Sequence, residues 1–583
     1  MKSFLKNIKN VIVKHKNKII NAILVLFIFG RFWLMHSTNW YINFDTHFDS
    51  RLEVYSAIKM TNGRWLGDYD KYILCKNLSY PIFLAAISQL HITYPVGFCS
   101  FICLACFLFT KSLKPVIKND NLRKLIFLIL LYNPVGLSFQ AAYHYRNALL
   151  PWTILIIIAC ILAIYLRKNE NLKTILPWSL TGMFFSGFYW NLREDSIWFL
   201  PFILAGFIAT IIHFSISTKK LKPSLTFAIV AILPILGILL WNHVISEINY
   251  KHYGIYATND RTQTYSAKVL GQLISIDDGS DLDKDVWVSS KTIELARKAS
   301  PTIEKKLILS VFDAWPKEGD YSIWALRDSA FYNGYYTDAK STNELFKKIY
   351  EELEEAFKSG KLKKKKGIQL SNTSGIYTAK EFGQTFPIAF DNFIKHIKYK
   401  EYKVNALEPI NGGNSESEFY LYENLLQIRL RRTEQQLDEI HADLNTKIQN
   451  DNVIKSLYHN MFFVNIITNC YNVLSPIFFA LGILGLISIG IDIFKNKKYD
   501  SYRIEIFILL IGLLLICYLN SYLICLWATS FYLSTEDNLY IVYTTAQTLM
   551  LCCFEILGTI FLINYLKTVK SKINKEGVIF WKK

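Results

Sequence analysis

Apolar segments of about bilayer-crossing length recur along this chain, and the charges between them alternate from one connector to the next. A helix needs about 20 apolar residues to cross the hydrocarbon of a membrane. Short connectors rich in Lys and Arg stay on the cytoplasmic side. The N-terminal tail carries Lys2, Lys6, Lys9, Lys14, Lys16 and Lys18 and no acid, which places it inside. Spans are expected at roughly 19–37, 93–111, 125–142, 147–166, 174–191, 196–216, 224–244, 472–494, 504–530 and 540–566. The first lacks a small-residue cleavage site, so it reads as an anchor that is retained. Every second connector is basic: Lys111 to Lys124, Arg167 and Lys168, Lys219 to Lys222, Lys495 to Arg503, and the tail from Lys567. The intervening connectors hold the carboxylates nearest to apolar helix ends. The pattern predicts an all-α polytopic membrane protein of about ten transmembrane helices, with both termini inside.

Composition agrees with that class. The chain is 52% hydrophobic and 15% aromatic, a membrane balance and not a soluble one. Its net charge of +18 sits at span ends, where the inside rule accounts for it, so membrane lipids are expected as partners and nucleic acid is not. Only Cys75 of the ten cysteines falls in an outside connector, so no disulfide framework is expected there. No CxxC pair occupies a polar loop, which argues against a cysteine zinc site.

Three blocks follow from the span map: a membrane module over 1–245 containing the first outer loop (38–80), an extracytoplasmic domain over 246–458, and a membrane module over 459–583. A short apolar stretch at 80–92 reads as an interfacial helix. Within the outer region, 342–358 has the spacing of an amphipathic helix. The basic run Lys361 to Lys366 reads as a solvated, mobile loop between Gly360 and Gly367. Asn411 to Asn414 reads as a turn. Residues 418–455 read as one long amphipathic helix, with Leu426, Leu430, Leu437, Ile440 and Leu444 on one face.

Three polar clusters meet on the outer side. The first runs from Asn43 through Asp45, His47, Asp49 and Arg51 to Glu53, with carboxylates four apart that would share a helix face. A carboxylate in a partly dehydrated setting suits general-base work; alternatively, Asp49 caps a helix N-terminus. The second cluster is Tyr143-His144-Tyr145-Arg146-Asn147, and the third Asn191-Leu192-Arg193-Glu194-Asp195. Arginine at a span end can simply snorkel, but its planar fork also fits phosphate oxygens. Arg146 and Arg193 opposite the carboxylates make a candidate phosphate clamp, with Glu194, His144 and Arg51 beside it. Metal binding by His47 or His144 is the weaker reading.

Several strings carry a family resemblance: FDSRLEVYSAIKMTNGRWLGDYDK at 48–71, SYPIFLAAISQL at 79–90, LYNPVG at 131–136, YHYRNAL at 143–149, NLREDSIWFLP at 191–201 and WALRDSAFYNG at 324–334. Together with the order of first span, acidic outer loop, interfacial helices, many spans and a large late outer region, the chain resembles the GT-C membrane glycosyltransferases, and in particular a bacterial branch of GT-C-like proteins. The resemblance implies transfer of a sugar from a polyprenyl-phosphate donor to a cell-envelope acceptor. Asp49 matches the acidic outer-loop position that activates the acceptor, with Asp45 second. Arg146 and Arg193 would hold the leaving phosphate. No second acidic partner of the metal-holding kind is evident, so a divalent metal stays open. The last outer loop, Ser534 to Asn538, lacks the Arg that some relatives place there. Two other readings stand beside this one: a transporter or flippase of lipid-linked glycans, and a scaffold that keeps the fold without activity. Span centres nearly free of charge favour the enzyme.

Overall fold

A computed structural model describes residues 2–40, 48–279, 286–307, 310–315, 319–402, 404, 416–496, 501–528 and 537–580. Helix accounts for 76% of the described residues. The sheet found among the described residues is a pair of two-residue strands, β1 (Ile368–Gln369) and β2 (Ile376–Tyr377), antiparallel with Ile368 opposite Tyr377. Among the described residues, eight helices are long and apolar enough to cross a membrane, and a ninth crossing arises if one bent helix pair counts as a span. The protein is an all-α, multi-pass membrane protein.

The N-terminal module begins with α1 (Lys2–His36). Two short helices follow, α2 (Ser50–Thr61) and α3 (Ser79–Gln89). Then come α4 (Tyr94–Ser112), α5 (Asp120–Leu131), α6 (Phe139–Ala142), α7 (Leu150–Leu166), α8 (Leu172–Trp190), α9 (Leu200–Thr218) and α10 (Leu221–Tyr253). The most thoroughly buried is α7, whose apolar run from Leu150 to Ile164 lies inside the bundle.

The bent pair is α5 and α6, at 49°. Pro134 has no N–H to continue the helix. The side chain of Asn133 accepts from Val135 N at 3.1 Å, so the Leu131 carbonyl loses its helical donor. Arg31, within α1 and fully buried, replaces it: Nε donates to Leu131 O at 2.9 Å and Nη2 to Gly136 O at 2.6 Å. In a membrane such carbonyls need a partner from the protein itself.

The segment expected as the fifth span is α8, which is a helix but carries Lys173, Thr174, Ser179, Thr181, Ser186 and Tyr189 and is not among the eight apolar ones. It packs against α7 and α10. Its contact with α10 is close enough that a Cβ on Gly237 would meet the Met183 carbonyl oxygen at 1.9 Å. Small residues let helix backbones approach in this way.

Beyond α10 the chain forms α11 (Asp260–Gln263), α12 (Tyr265–Ser275), α13 (Ser290–Ala299), α14 (Pro301–Lys306), α15 (Ser310–Ala314), α16 (Tyr321–Phe331) and α17 (Ala339–Lys358). The amphipathic reading of 342–358 matches α17, which buries Leu345, Phe346, Ile349 and Leu353 against α12. This small core also takes in Phe48, Leu52, Tyr72 and Cys75 from the loop after α1. A fully buried guanidinium fixes that loop: Arg327 donates to Lys71 O at 2.7 Å and Ile73 O at 3.0 Å, and pairs with Asp260 at 3.2 Å.

Two expectations for this region need correction. The run Lys361 to Lys366 is not a free loop. Asp277 N donates to Lys363 O at 2.8 Å and Lys365 N to Ser275 O at 2.8 Å, which pins its backbone along the end of α12. Nor do residues 418–455 make one helix. They fall into α19 (Glu416–Leu426), α20 (Glu434–Glu439) and the start of α21 (Leu444–Asn496). Gln427 and His441 adopt left-handed backbone angles, and Thr433 opens α20 with a capping box to Gln436. A side-chain cap and αL residues end a helix whatever its apolar spacing. The expected turn at Asn411 to Asn414 lies outside the described residues.

Between α17 and α19 lies α18 (Ala379–Lys398), which packs against α21, α22 (Ser501–Ala528) and α24 (Ala546–Phe580); α23 (Asp537–Thr544) precedes α24. Residue Glu555, at the middle of the apolar part of α24, is buried and accepts from Ser475 Oγ of α21 at 2.7 Å. With Arg31 in α1, this corrects the expectation of nearly charge-free span centres.

Candidate functional site

The connectors after α1, α6 and α8 come together at one end of the bundle. Their charged side chains form a continuous array. Asp49 immediately precedes α2, yet its side chain makes no capping hydrogen bond, so the capping role is not the one it has. Its carboxylate instead receives Lys76 Nζ at 2.6 Å, and Tyr145 OH donates to it at 3.4 Å. The Asp49 side chain remains 39% exposed, whereas Lys76 beneath it is 5% exposed. Burial alone would raise the Asp49 carboxyl; the Lys76 ammonium, with Arg146 and Arg261 behind it, outweighs that and holds it below the usual carboxylate range.

One helical turn on, Glu53 faces inward and is fully buried. Its Oε2 accepts from the Arg146 backbone N–H at 3.3 Å, and its Oε1 lies 3.4 Å from Arg146 Nε. Desolvation pushes this carboxyl up to about 8 despite the arginine, so it is mostly protonated at pH 7. The same guanidinium reaches Glu194 through Nη1 at 2.8 Å. Asn77 N donates to Glu194 Oε1 at 3.0 Å. Burial works against Glu194 too, but Arg146, Lys76 and Arg261 hold it well below the usual range. Arg146 thus joins a neutral carboxyl on one side to an ionised one on the other.

Arg193 completes the array. Its Nε and Nη2 take both oxygens of Asp195, at 2.7 and 2.6 Å, and Nη1 donates to Asn147 Oδ1 at 2.6 Å. Its guanidinium lies 4.9 Å over the Tyr543 ring. From the α11 side, Arg261 pairs with Asp320 at 2.8 Å. All four cations therefore already hold carboxylates. A phosphate entering here would compete with Asp195 and Glu194 for the two forks.

The other expected residues lie elsewhere. His144 is buried between Trp40, stacked at 5.2 Å, and Tyr94 at 4.5 Å. Burial lowers its imidazole to about 3, so it is neutral near pH 7 and supplies no positive charge to an anion. Arg51 pairs with Glu418 and lies over the Tyr55 ring. Asp45 and His47 are outside the described residues. Among the described residues no group of three or more His, Cys, Asp or Glu is placed to hold a metal ion.

Sequence reasoning passed over Lys76, Asn77 and Arg261, and it placed Tyr145, Asn147 and Glu53 in the polar clusters without assigning them a part. Lys76 had a usable signal: it is a lysine directly before an apolar helix in a connector that the charge rule puts outside. For Arg261 and Tyr543 no local signal exists, since each arrives from a distant part of the chain. No family model, curated protein or solved structure matches this chain.

Proposed function

We propose that this protein is a membrane glycosyltransferase of the GT-C type, moving a sugar from a polyprenyl phosphate to a cell-envelope acceptor on the outer side, with inversion at the anomeric carbon. The observation that carries the reading is the array itself: an accessible carboxylate, Asp49, set over buried guanidinium groups at a single end of a multi-pass bundle, while the similarly exposed Asp195 is tied through both its oxygens to Arg193. The charge alternation puts that end outside, with both termini within and α8 counted as a tenth span.

In this reading Asp49 receives the acceptor hydroxyl. Lys76 makes it a weak base, so it takes the proton late, once bonding to the sugar carbon has made that proton acidic. Arg146 and Arg193 stabilise the charge on the departing phosphate, which leaves without a strong general acid. Glu53 acts through Arg146 as a positioning residue.

The test is Asp49→Asn, which keeps shape and removes basicity. Transfer, followed by mass spectrometry of envelope glycans at matched protein level, should fall roughly 10²-fold or more. Unchanged product would overturn the proposal. Arg193→Lys should weaken donor binding, because an ammonium cannot make the two-pronged contact.

Glu555 favours a second reading. A carboxyl in mid-span is a frequent mark of transporters. A flippase would lose glycan translocation in Glu555→Gln and keep it in Asp49→Asn, the reverse of what the transferase predicts for product formation.

A further inference from the structure

We infer that α18 lies in the plane of the membrane–water interface, with Phe386 and Phe390 sunk among lipid acyl chains and Lys380, Asp391 and Lys398 facing the headgroups. Three sectors of this one helix differ in their surroundings.

The sector against the protein is mixed: Ala389, Phe393 and Ile397 are buried in it beside three polar residues. Thr385, Asn392 and His396 are all buried and recur at spacings of seven and four, on one helix face. Asn392 Nδ2 donates to Ser521 Oγ at 3.0 Å and Thr544 Oγ1 at 3.2 Å. The His396 ring contacts Thr544 and Thr548 hydroxyls at 2.7 and 2.8 Å. These bonds fix α18 to α22, α23 and α24.

The two remaining sectors are exposed and differ in kind. Phe386 and Phe390 are 53% and 57% exposed. At about 100° per residue they lie within ~40° of each other. Lys380, Gln384, Asp391 and Lys398 are also exposed and cluster on a second stripe, roughly 120–160° from Phe386. Water alone would leave two large aromatic side chains unsatisfied on a packed helix. Acyl chains alone would leave Asp391 and the lysines in hydrocarbon. Only the boundary between the two media satisfies both stripes, and helices of this pattern lie in that boundary.

The neighbours agree. Tyr518 and Tyr522 of α22 donate their hydroxyls to Phe386 O at 3.2 Å and Phe382 O at 2.8 Å, both on the N-terminal side of Pro387. The apolar surface is also continuous with that of the span they belong to, where Ile508 and Leu515 are 61% and 64% exposed. The helix is therefore not part of the water-filled outer region in which its sequence position places it.

The full chain in liposomes, photolysed with a phospholipid carrying a diazirine on its acyl chain and then mapped by mass spectrometry, tests this directly. Phe386 and Phe390 should be labelled within about threefold of Leu515, and an aqueous amine-acylating reagent should modify Lys380 and Lys398. Absence of lipid label on both phenylalanines would overturn the inference, whether water or another protein covers them. Lipid labelling of the two phenylalanines with both lysines inert to the aqueous reagent would overturn the interfacial placement, because α18 would then be fully submerged.

Discussion

Removing Arg146 should destabilise the protein through Glu194 and not through Glu53. The guanidinium is 5% exposed and sits between the two carboxyls, so Arg146→Ala takes from each the one ion pair it makes among the described residues. Breaking a buried pair from one side costs about 3–5 kcal/mol, because a charge is left unpaired. The two carboxyls are not equivalent. Glu53, held up to about 8, is mostly protonated at pH 7 and becomes more so without Arg146. Glu194 is held low and stays ionised. It retains the Asn77 N–H and is 15% exposed, which sets the expected loss near the lower bound, about 3 kcal/mol. A second change, Glu194→Gln, should restore at least ~1.5 kcal/mol of that loss. Glu53→Gln in the same background should restore less than ~0.5 kcal/mol. Denaturant titration of the three variants and the parent in mixed micelles, followed by circular dichroism, measures these differences. Equal rescue by the two glutamines, or greater rescue by Glu53→Gln, would refute the assignment of charge within the array.

Other predictions follow from single sites. Glu53 has its folded proton affinity raised, so the stability it lends is complete below its ordinary 4.5 and lost as pH rises to about 8. Thermal scans from pH 5 to 8 should fall less steeply for Glu53→Gln than for the parent, and parallel curves would contradict this. Gly237→Ala should cost about 1–3 kcal/mol or more, because the obstructing atom is the Met183 backbone carbonyl and cannot rotate away. Gly383→Ala, with nothing within 4 Å of the new Cβ, should be neutral or stabilising in the same denaturation assay. Arg31→Leu leaves Leu131 O and Gly136 O without donors, at about 1–3 kcal/mol each, and should show as a lower unfolding midpoint.

The spans were legible because a bilayer imposes two one-dimensional demands, apolar length and charge at the ends, and both are written along the chain. Among the described residues, the long apolar helices and the bent pair at 120–142 cover segments that hydropathy marked, although α21 begins at Leu444, well ahead of the expected 472–494. The break in that pair was visible as Asn133-Pro134, but its repair by Arg31 was not, since the two segments are about a hundred residues apart. The failure of 418–455 as one helix has a local cause: apolar spacing describes a face, while αL residues and a capping box decide where a helix stops.

The candidate site divides in the same way. Sequence gathered Asp49, Arg146, Arg193 and Glu194 onto one side through the charge rule. Only the folded chain decided that Asp49 meets Lys76, that Arg146 lies between a neutral and an ionised carboxyl, and that Arg51 and His144 stand apart from both. Those outcomes depend on burial and on distances of a few ångströms between remote segments. The free energy of a charge changes steeply with both, and neither is encoded in the order of residues along any one segment.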